Sequence, residues 1–142
     1  MNLKDVLAAK GHRVVTVSAK SSVADAIRAM HAEEVGAVMV PDAEGCPVGI
    51  FTERDVVRMY AGGDRDFDTL VVEARMTCSV VVGLLSMPVD EALGLMTERR
   101  FRHLPVVEDG KLLGLVSIGD LVKEKLNETA QEAQALRTYI AS

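Results

Sequence analysis

The feature that most constrains this chain is a stretch that occurs twice. Gly49-Ile50-Phe51-Thr52-Glu53-Arg54-Asp55 returns as Gly114-Leu115-Val116-Ser117-Ile118-Gly119-Asp120, an offset of 65 residues (114 − 49). Both copies read Gly, two apolar residues, a hydroxyl residue, two variable residues and Asp. The apolar pairs have strand preference. Thr52 and Ser117 are good helix N-caps, each with an Asp three residues on, a variant of the capping box. The unit is therefore a buried strand that turns directly into a helix. Its junction holds orphan N–H groups, a hydroxyl and a carboxylate, at the end of a strand where small ligands tend to sit in layered α/β structures.

The repeat extends well beyond these seven residues. Val23, Ala26, Ile27 and Met30 follow Ser22 at helical spacing, and Val89, Ala92, Leu93 and Met96 repeat them 66 residues later (89 − 23). Gly36 to Pro41 matches Arg102 to Val107 at the same offset. The offset falls to 65 at the turn, where Asp42 to Gly45 is one residue longer than Glu108 to Gly110. Strands are expected at Val14–Val17 and Ser79–Val82, and short helical stubs at Leu3–Ala9 and Leu70–Met76. The chain is a tandem duplication of a β-α-β-β-α unit. Its period is longer than the roughly 20–50 residues of most solenoid repeats. Two copies imply two halves packed face to face about a pseudo-two-fold, since each half is too short to build a good core alone. The expected layout is residues 1–60 for the first repeat, 61–69 for a linker, 70–126 for the second repeat and 127–142 for a helical extension. In that last part Val122, Leu126, Ala130, Ala133, Leu136 and Ile140 recur at three- and four-residue steps. They mark one long amphipathic helix, which packs on its own domain or meets a second chain.

Composition narrows the function. Of 142 residues, 49% are hydrophobic but only 4% aromatic, with seven Met and no Trp, so the core is aliphatic and methionine-rich. A formal net charge of −5 argues against a general nucleic-acid binder. Cys46 and Cys78 have no metal-like spacing and read as free thiols. No stretch approaches the roughly 18 apolar residues of a membrane span. Met1-Asn2-Leu3-Lys4-Asp5 is no secretory leader, so a cytoplasmic location is expected. There is no nucleophile with a base, no metal set and no phosphate-loop lysine, so no enzyme is expected.

In its tandem Gly-x-x-Thr/Ser-x-x-Asp motifs, and in Phe51-Thr52-Glu53-Arg54-Asp55 and Arg102-His103-Leu104-Pro105-Val106-Val107, the chain resembles the CBS domain pair, or Bateman module. The resemblance covers about Leu3 to Leu126 and is nearest to small stand-alone bacterial members. It implies an α/β (α+β) fold of two pseudo-symmetric repeats, two clefts between their sheets, and pairing of two such modules into a homodimer. It implies an adenosyl ligand, AMP, ATP or NADH among them, and an unknown regulated protein; no further cofactor is required. By the same resemblance Asp55 and Asp120 would accept hydrogen bonds from ribose hydroxyls, which fits an acceptor-only carboxylate facing a diol. Thr52 and Ser117 would lie near the ribose or α-phosphate. Adenine would be read by backbone of the Val14–Val17 strand, which holds Thr16, or of Val80–Val82. Met39 and Pro105 would line the clefts, and Arg54, Arg102 and His103 would surround a phosphate. Thr52 with Asp55, and Ser117 with Asp120, can equally be capping boxes and nothing more, and the two roles are compatible. The repeats differ in three places: Val82-Gly83 stands where the first repeat has Thr16-Val17, Pro88 stands where Ser22 caps the earlier helix, and Gly36-Ala37 stands where the second repeat has Arg102-His103, so the clefts are not equivalent.

Overall fold

A computed structural model describes residues 1–141. The elements run α1 (Leu3–Lys10), α2 (Val23–Glu33), β1 (Ala37–Pro41), β2 (Pro47–Thr52), α3 (Glu53–Ala61), a 3₁₀ turn (Val72–Ala74), β3 (Gly83–Leu84), α4 (Val89–Arg99), β4 (His103–Glu108), β5 (Lys111–Ser117) and α5 (Ile118–Ala141). The duplication is visible in fine detail. β1 pairs antiparallel with β2, placing Ala37 opposite Thr52; β4 pairs antiparallel with β5, placing His103 opposite Ser117. A register shift falls between Val40 and Pro41 in one hairpin and between Val106 and Val107 in the other, which are matching positions. α2 and α4 both end on a left-handed non-glycine residue, Glu34 and Arg100, again 66 apart (100 − 34).

The outer strands are shorter than the sequence implies. The Val14–Val17 segment is extended but meets β1 through a single bridge, Thr16 to Met39. The second copy forms a strand only at Gly83–Leu84, parallel to β4, rather than at Ser79–Val82. Gly83 has no room for a side chain, because a Cβ there would lie 2.7 Å from Leu3 Cδ1 and 3.0 Å from Leu104 Cδ2. The Leu70–Met76 stub is one 3₁₀ turn rather than a helix.

Three clusters make up the interior. One holds Val23, Ala26, Met30, Val38, Val40, Phe51, Met59 and Val72. A second holds Leu3, Val6 and Leu7 with Val89, Met96, Leu104, Val106, Val116 and Leu121. The third, Ala37, Met39, Ile50 and Leu115 with Val14 and Val80 packed on it, joins the two halves. The lead-in segments are therefore exchanged. α1 begins the chain but completes the core of the second half, where Leu3 N–H donates to Met87 O at 3.0 Å and Lys4 N–H to Leu85 O at 3.0 Å. The Leu70–Val72 segment completes the first half in return, with Val23 N–H donating to Leu70 O and Val72 N–H to Ser21 O, both at 2.8 Å.

This exchange explains the glycine that opens each motif. A Cβ on Gly49 would lie 2.2 Å from Met76 Sδ, and one on Gly114 would lie 2.7 Å from Leu7 Cδ2. Each motif strand is thus the bed for the lead-in segment of the opposite repeat. α5 is long, and of its residues Leu121 is buried. The ion pairs of Lys125 with Asp90 and of the Met1 amino group with Glu128 hold its first half to the body. Leu126, Leu136 and Ile140 are exposed, so that part of the apolar stripe does not pack on its own domain. Among the described residues no helix is long and apolar enough to cross a membrane.

Candidate functional site

Both motif junctions form reciprocal capping boxes. Thr52 Oγ1 accepts from Asp55 N–H at 3.3 Å while Asp55 Oδ2 accepts from Thr52 N–H at 2.9 Å. Ser117 Oγ accepts from Asp120 N–H at 3.0 Å while Asp120 Oδ2 accepts from Ser117 N–H at 2.8 Å. A second shared device holds the helix starts: Glu53 N–H donates to Gly36 O at 3.0 Å, and Ile118 N–H donates to Arg102 O at 2.9 Å. Each motif is thereby tied to the start of the middle strand of its own repeat.

Around these equal frames the side chains differ. A cavity of about 220 Å³ is lined by Thr52, Glu53, Arg54, Asp55 and Arg58 from the first repeat and by Arg100, Arg102 and His103 from the second, with Ile50, Phe101 and Thr77 as its apolar and polar floor. The cleft thus borrows from both repeats, and five of the residues picked from the sequence (Thr52, Arg54, Asp55, Arg102 and His103) meet in it. Asp55 is buried. Its Oδ2 also accepts from the Thr52 hydroxyl at 3.2 Å, and its Oδ1 faces Arg58 at 3.3 Å. Arg58 is largely exposed. Arg54 reaches across the halves to donate to Arg100 O at 3.1 Å. Glu53 is the one other acid on this wall.

Asp120 stands in different company. Its Oδ2 receives the Lys10 ammonium at 2.5 Å, and the same ammonium donates to Leu115 O at 2.6 Å. Burial pushes the Asp120 carboxyl up, but the bonds from Lys10 and from Ser117 N–H outweigh it and hold the group below the usual carboxylate range. Beside it a cavity of about 210 Å³ is lined by Lys10, Gly11, Arg13, Val14, Val15, Val35, Ala37 and Leu115. Here Ala37 occupies the place that His103 takes in the first cleft. Arg13 is ion-paired with Glu33.

His103 is a perturbed base. Burial lowers its pKa, the Lys10 charge lowers it further, Asp120 and Glu53 pull it back up, and Arg102 adds a smaller lowering effect. It also borders a broad groove of about 1000 Å³ between the halves, together with Ser117, Ile118, Met30 and Val57.

Three sequence candidates lie elsewhere. Met39 is fully buried in the cluster between the sheets. Pro105 is buried on β4 opposite Leu115. Thr16 is exposed at its bridge to Met39. None of the three lines any of these cavities, and neither does Asp120, which is covered by the Lys10 ammonium. Arg58 and Lys10 lie outside the motifs, and Arg100 reads from the sequence as a solvated helix end. Arg58 follows Asp55 by three residues, a local signal that was available. Lys10 lies 110 positions from its partner, and no spacing rule joins them.

Comparison with known proteins agrees with this geometry. The CBS domain family model matches residues 3–62 and 71–127. The Arabidopsis thaliana protein "CBS domain-containing protein CBSX3, mitochondrial" is 33% identical over 97% of this chain and 71% of its own length. The crystal structure of a CBS-domain containing protein from Agrobacterium tumefaciens superposes with a TM-score of 0.84 at 43% identity, covering 88% of this chain and 99% of that one. A CBS domain protein from Pyrobaculum aerophilum complexed with AMP shares the fold, with a TM-score of 0.75 at 22% identity, covering 84% of this chain and 89% of that one. A duplicated strand-turn-helix motif, two hairpins in matching register and two exchanged lead-in segments thus have one family in common: this chain belongs to the CBS domain family, as a tandem pair.

Proposed function

We propose that the chain is a regulatory module that binds an adenosyl nucleotide, AMP-like or ATP-like, with its principal site at the Asp55 cleft. The observation that carries this reading is the buried Asp55 carboxylate at one end of a cavity ringed by Arg54, Arg58, Arg100, Arg102 and His103. A ribose diol offers two donors. Asp55 Oδ1 has capacity to receive them once the exposed Arg58 turns toward a phosphate. Arginine forks are suited to that phosphate. The AMP-bound Pyrobaculum protein supports the ligand class at the level of the fold. The module acts without catalysis: a ligand shifts its shape or partner affinity by the difference in its affinity for two states. The natural assembly is a homodimer, in which a second copy covers the apolar residues left exposed on α3 and α5, Val57 and Leu126 among them. The module sits in the cytoplasm and answers to a regulated protein not identified by its sequence.

The test is a calorimetric titration with AMP, ATP, NADH and S-adenosylmethionine, with the mass followed by light scattering. Saturable binding of an adenosyl ligand to a dimer is expected, and Asp55→Asn should weaken it at least tenfold. Asparagine retains a carbonyl acceptor for the helix cap, so stability should change by no more than about 1 kcal/mol. A clean dimer that gives no heat with any of the four ligands would favour the alternative, an assembly module without a physiological nucleotide.

A further inference from the structure

The two clefts share a backbone frame and differ in what their carboxylates hold. Asp55 is approached by an arginine from its own helix, exposed and loosely placed at 3.3 Å. Asp120 is held by Lys10, which arrives from the other end of the chain and also binds the Leu115 carbonyl. Lys10 is positioned by packing. It lies three residues after Leu7, whose methyl groups fill the space over Gly114, and α1 ends there at Gly11 (φ 101°). The corresponding segment in the first cleft passes Met76 over Gly49 and continues as Thr77, bridged to Ile50 through its backbone. No cation is delivered by that route.

We propose that Lys10 is a specificity-determining residue: a tethered cation that occupies the ribose-binding carboxylate of the second cleft and admits only ligands carrying an anion to receive it. The inference rests on the reading of the two aspartates as ribose acceptors. A diol that takes Asp120 must displace the ammonium. The cavity beside Lys10 has Val14, Val15, Val35, Ala37 and Leu115 on its wall and no carboxylate, Arg13 is already paired with Glu33, and Asp120 does not itself line this space. An ammonium moved off Asp120 gives up its charge-assisted hydrogen bond, and a new anion on the ligand restores one. The phosphate of AMP supplies that anion. Adenosine and 5′-methylthioadenosine do not. At the Asp55 cleft the carboxylate meets the exposed Arg58 instead of a tethered lysine, and any preference for phosphate there comes from the surrounding arginines rather than from Lys10.

The test compares AMP with adenosine by calorimetry in the parent, in Lys10→Met and in Asp120→Ala, the last to assign which binding event belongs to the second cleft. Binding at the Asp55 cleft reports in each variant that the chain is folded. In the parent, the second cleft should favour AMP over adenosine by at least tenfold. In Lys10→Met the preference should collapse toward unity, with adenosine gaining and AMP losing affinity. An unchanged ratio in Lys10→Met, or no second binding event in either protein while the Asp55 cleft still binds, overturns the role of Lys10 and leaves the nucleotide reading standing. Absence of binding at both clefts overturns the two together.

Discussion

Asp55 and Asp120 are twins in cap geometry and differ in their neighbours, and His103 shows how far such neighbours reach. Its imidazole is held neutral by burial and by the charge of Lys10, against Asp120 and Glu53, with Arg102 adding to the lowering. A histidine whose folded pKa lies below the unfolded value of about 6.5 gives a defined sign. Its contribution to stability is complete above about pH 6.5. It is lost as the pH falls from there toward the lower folded value, because the unfolded chain takes up its proton first. A phosphate bound beside His103 reverses the balance by favouring the imidazolium. AMP binding near pH 6.5 should therefore take up a fraction of a proton, read from the dependence of the binding heat on buffer ionisation enthalpy. His103→Gln should remove that uptake and leave one binding event per Asp55 cleft. Equal uptake in parent and variant would place the phosphate elsewhere. At this scale the sequence was informative wherever a role is local. The Thr52–Asp55 and Ser117–Asp120 boxes are legible because their partners lie three residues apart. Lys10 is invisible because its role exists only once α1 has crossed to the second half.

The elements teach a related lesson about glycine. Gly49 and Gly114 open the motif strands, and neither has an unusual backbone angle that would demand glycine. At each, a side chain from the opposite lead-in segment lies where its Cβ would be, so an added methyl group forces that side chain to shift. Gly49→Ala should destabilise the protein by roughly 1–3 kcal/mol, the usual cost of overpacking. Met76→Ala in the same chain should recover part of that loss, a coupling measured by a double-mutant cycle in urea. Additive effects would show that Met76 is not the obstacle. The same crossing explains why the outer strands were misjudged. Val14–Val17 and Ser79–Val82 have the composition of strands, but the first meets β1 through one bridge and in the second copy pairing begins only at Gly83, while Val14 and Val80 pack on the contact between halves. Helices were easier, since α2 and α4 carry a full apolar face at period 3.6 and need no distant partner to be recognised.

For the molecule as a whole, the decisive feature is that each core contains residues from both ends of the duplication. Leu3, Val6 and Leu7 belong to the second core, and Val72 belongs to the first. The halves should therefore melt together. Leu7→Ala, a buried truncation costing about 2–5 kcal/mol, should lower one common unfolding transition rather than split it in two. Two resolved transitions, followed by circular dichroism and by calorimetry, would show that the halves are independent. The face-to-face arrangement was legible from the 65- and 66-residue offsets, whereas the exchange was not, because a repeat reads the same whether its lead-in folds back onto itself or across. For inheritance, the exchange means that the smallest unit that can be copied, moved between genes or fused to another protein is the pair. A single repeat cut out at the midpoint leaves a socket whose natural plug stays behind on the other fragment, and only another copy of the chain carries one that fits.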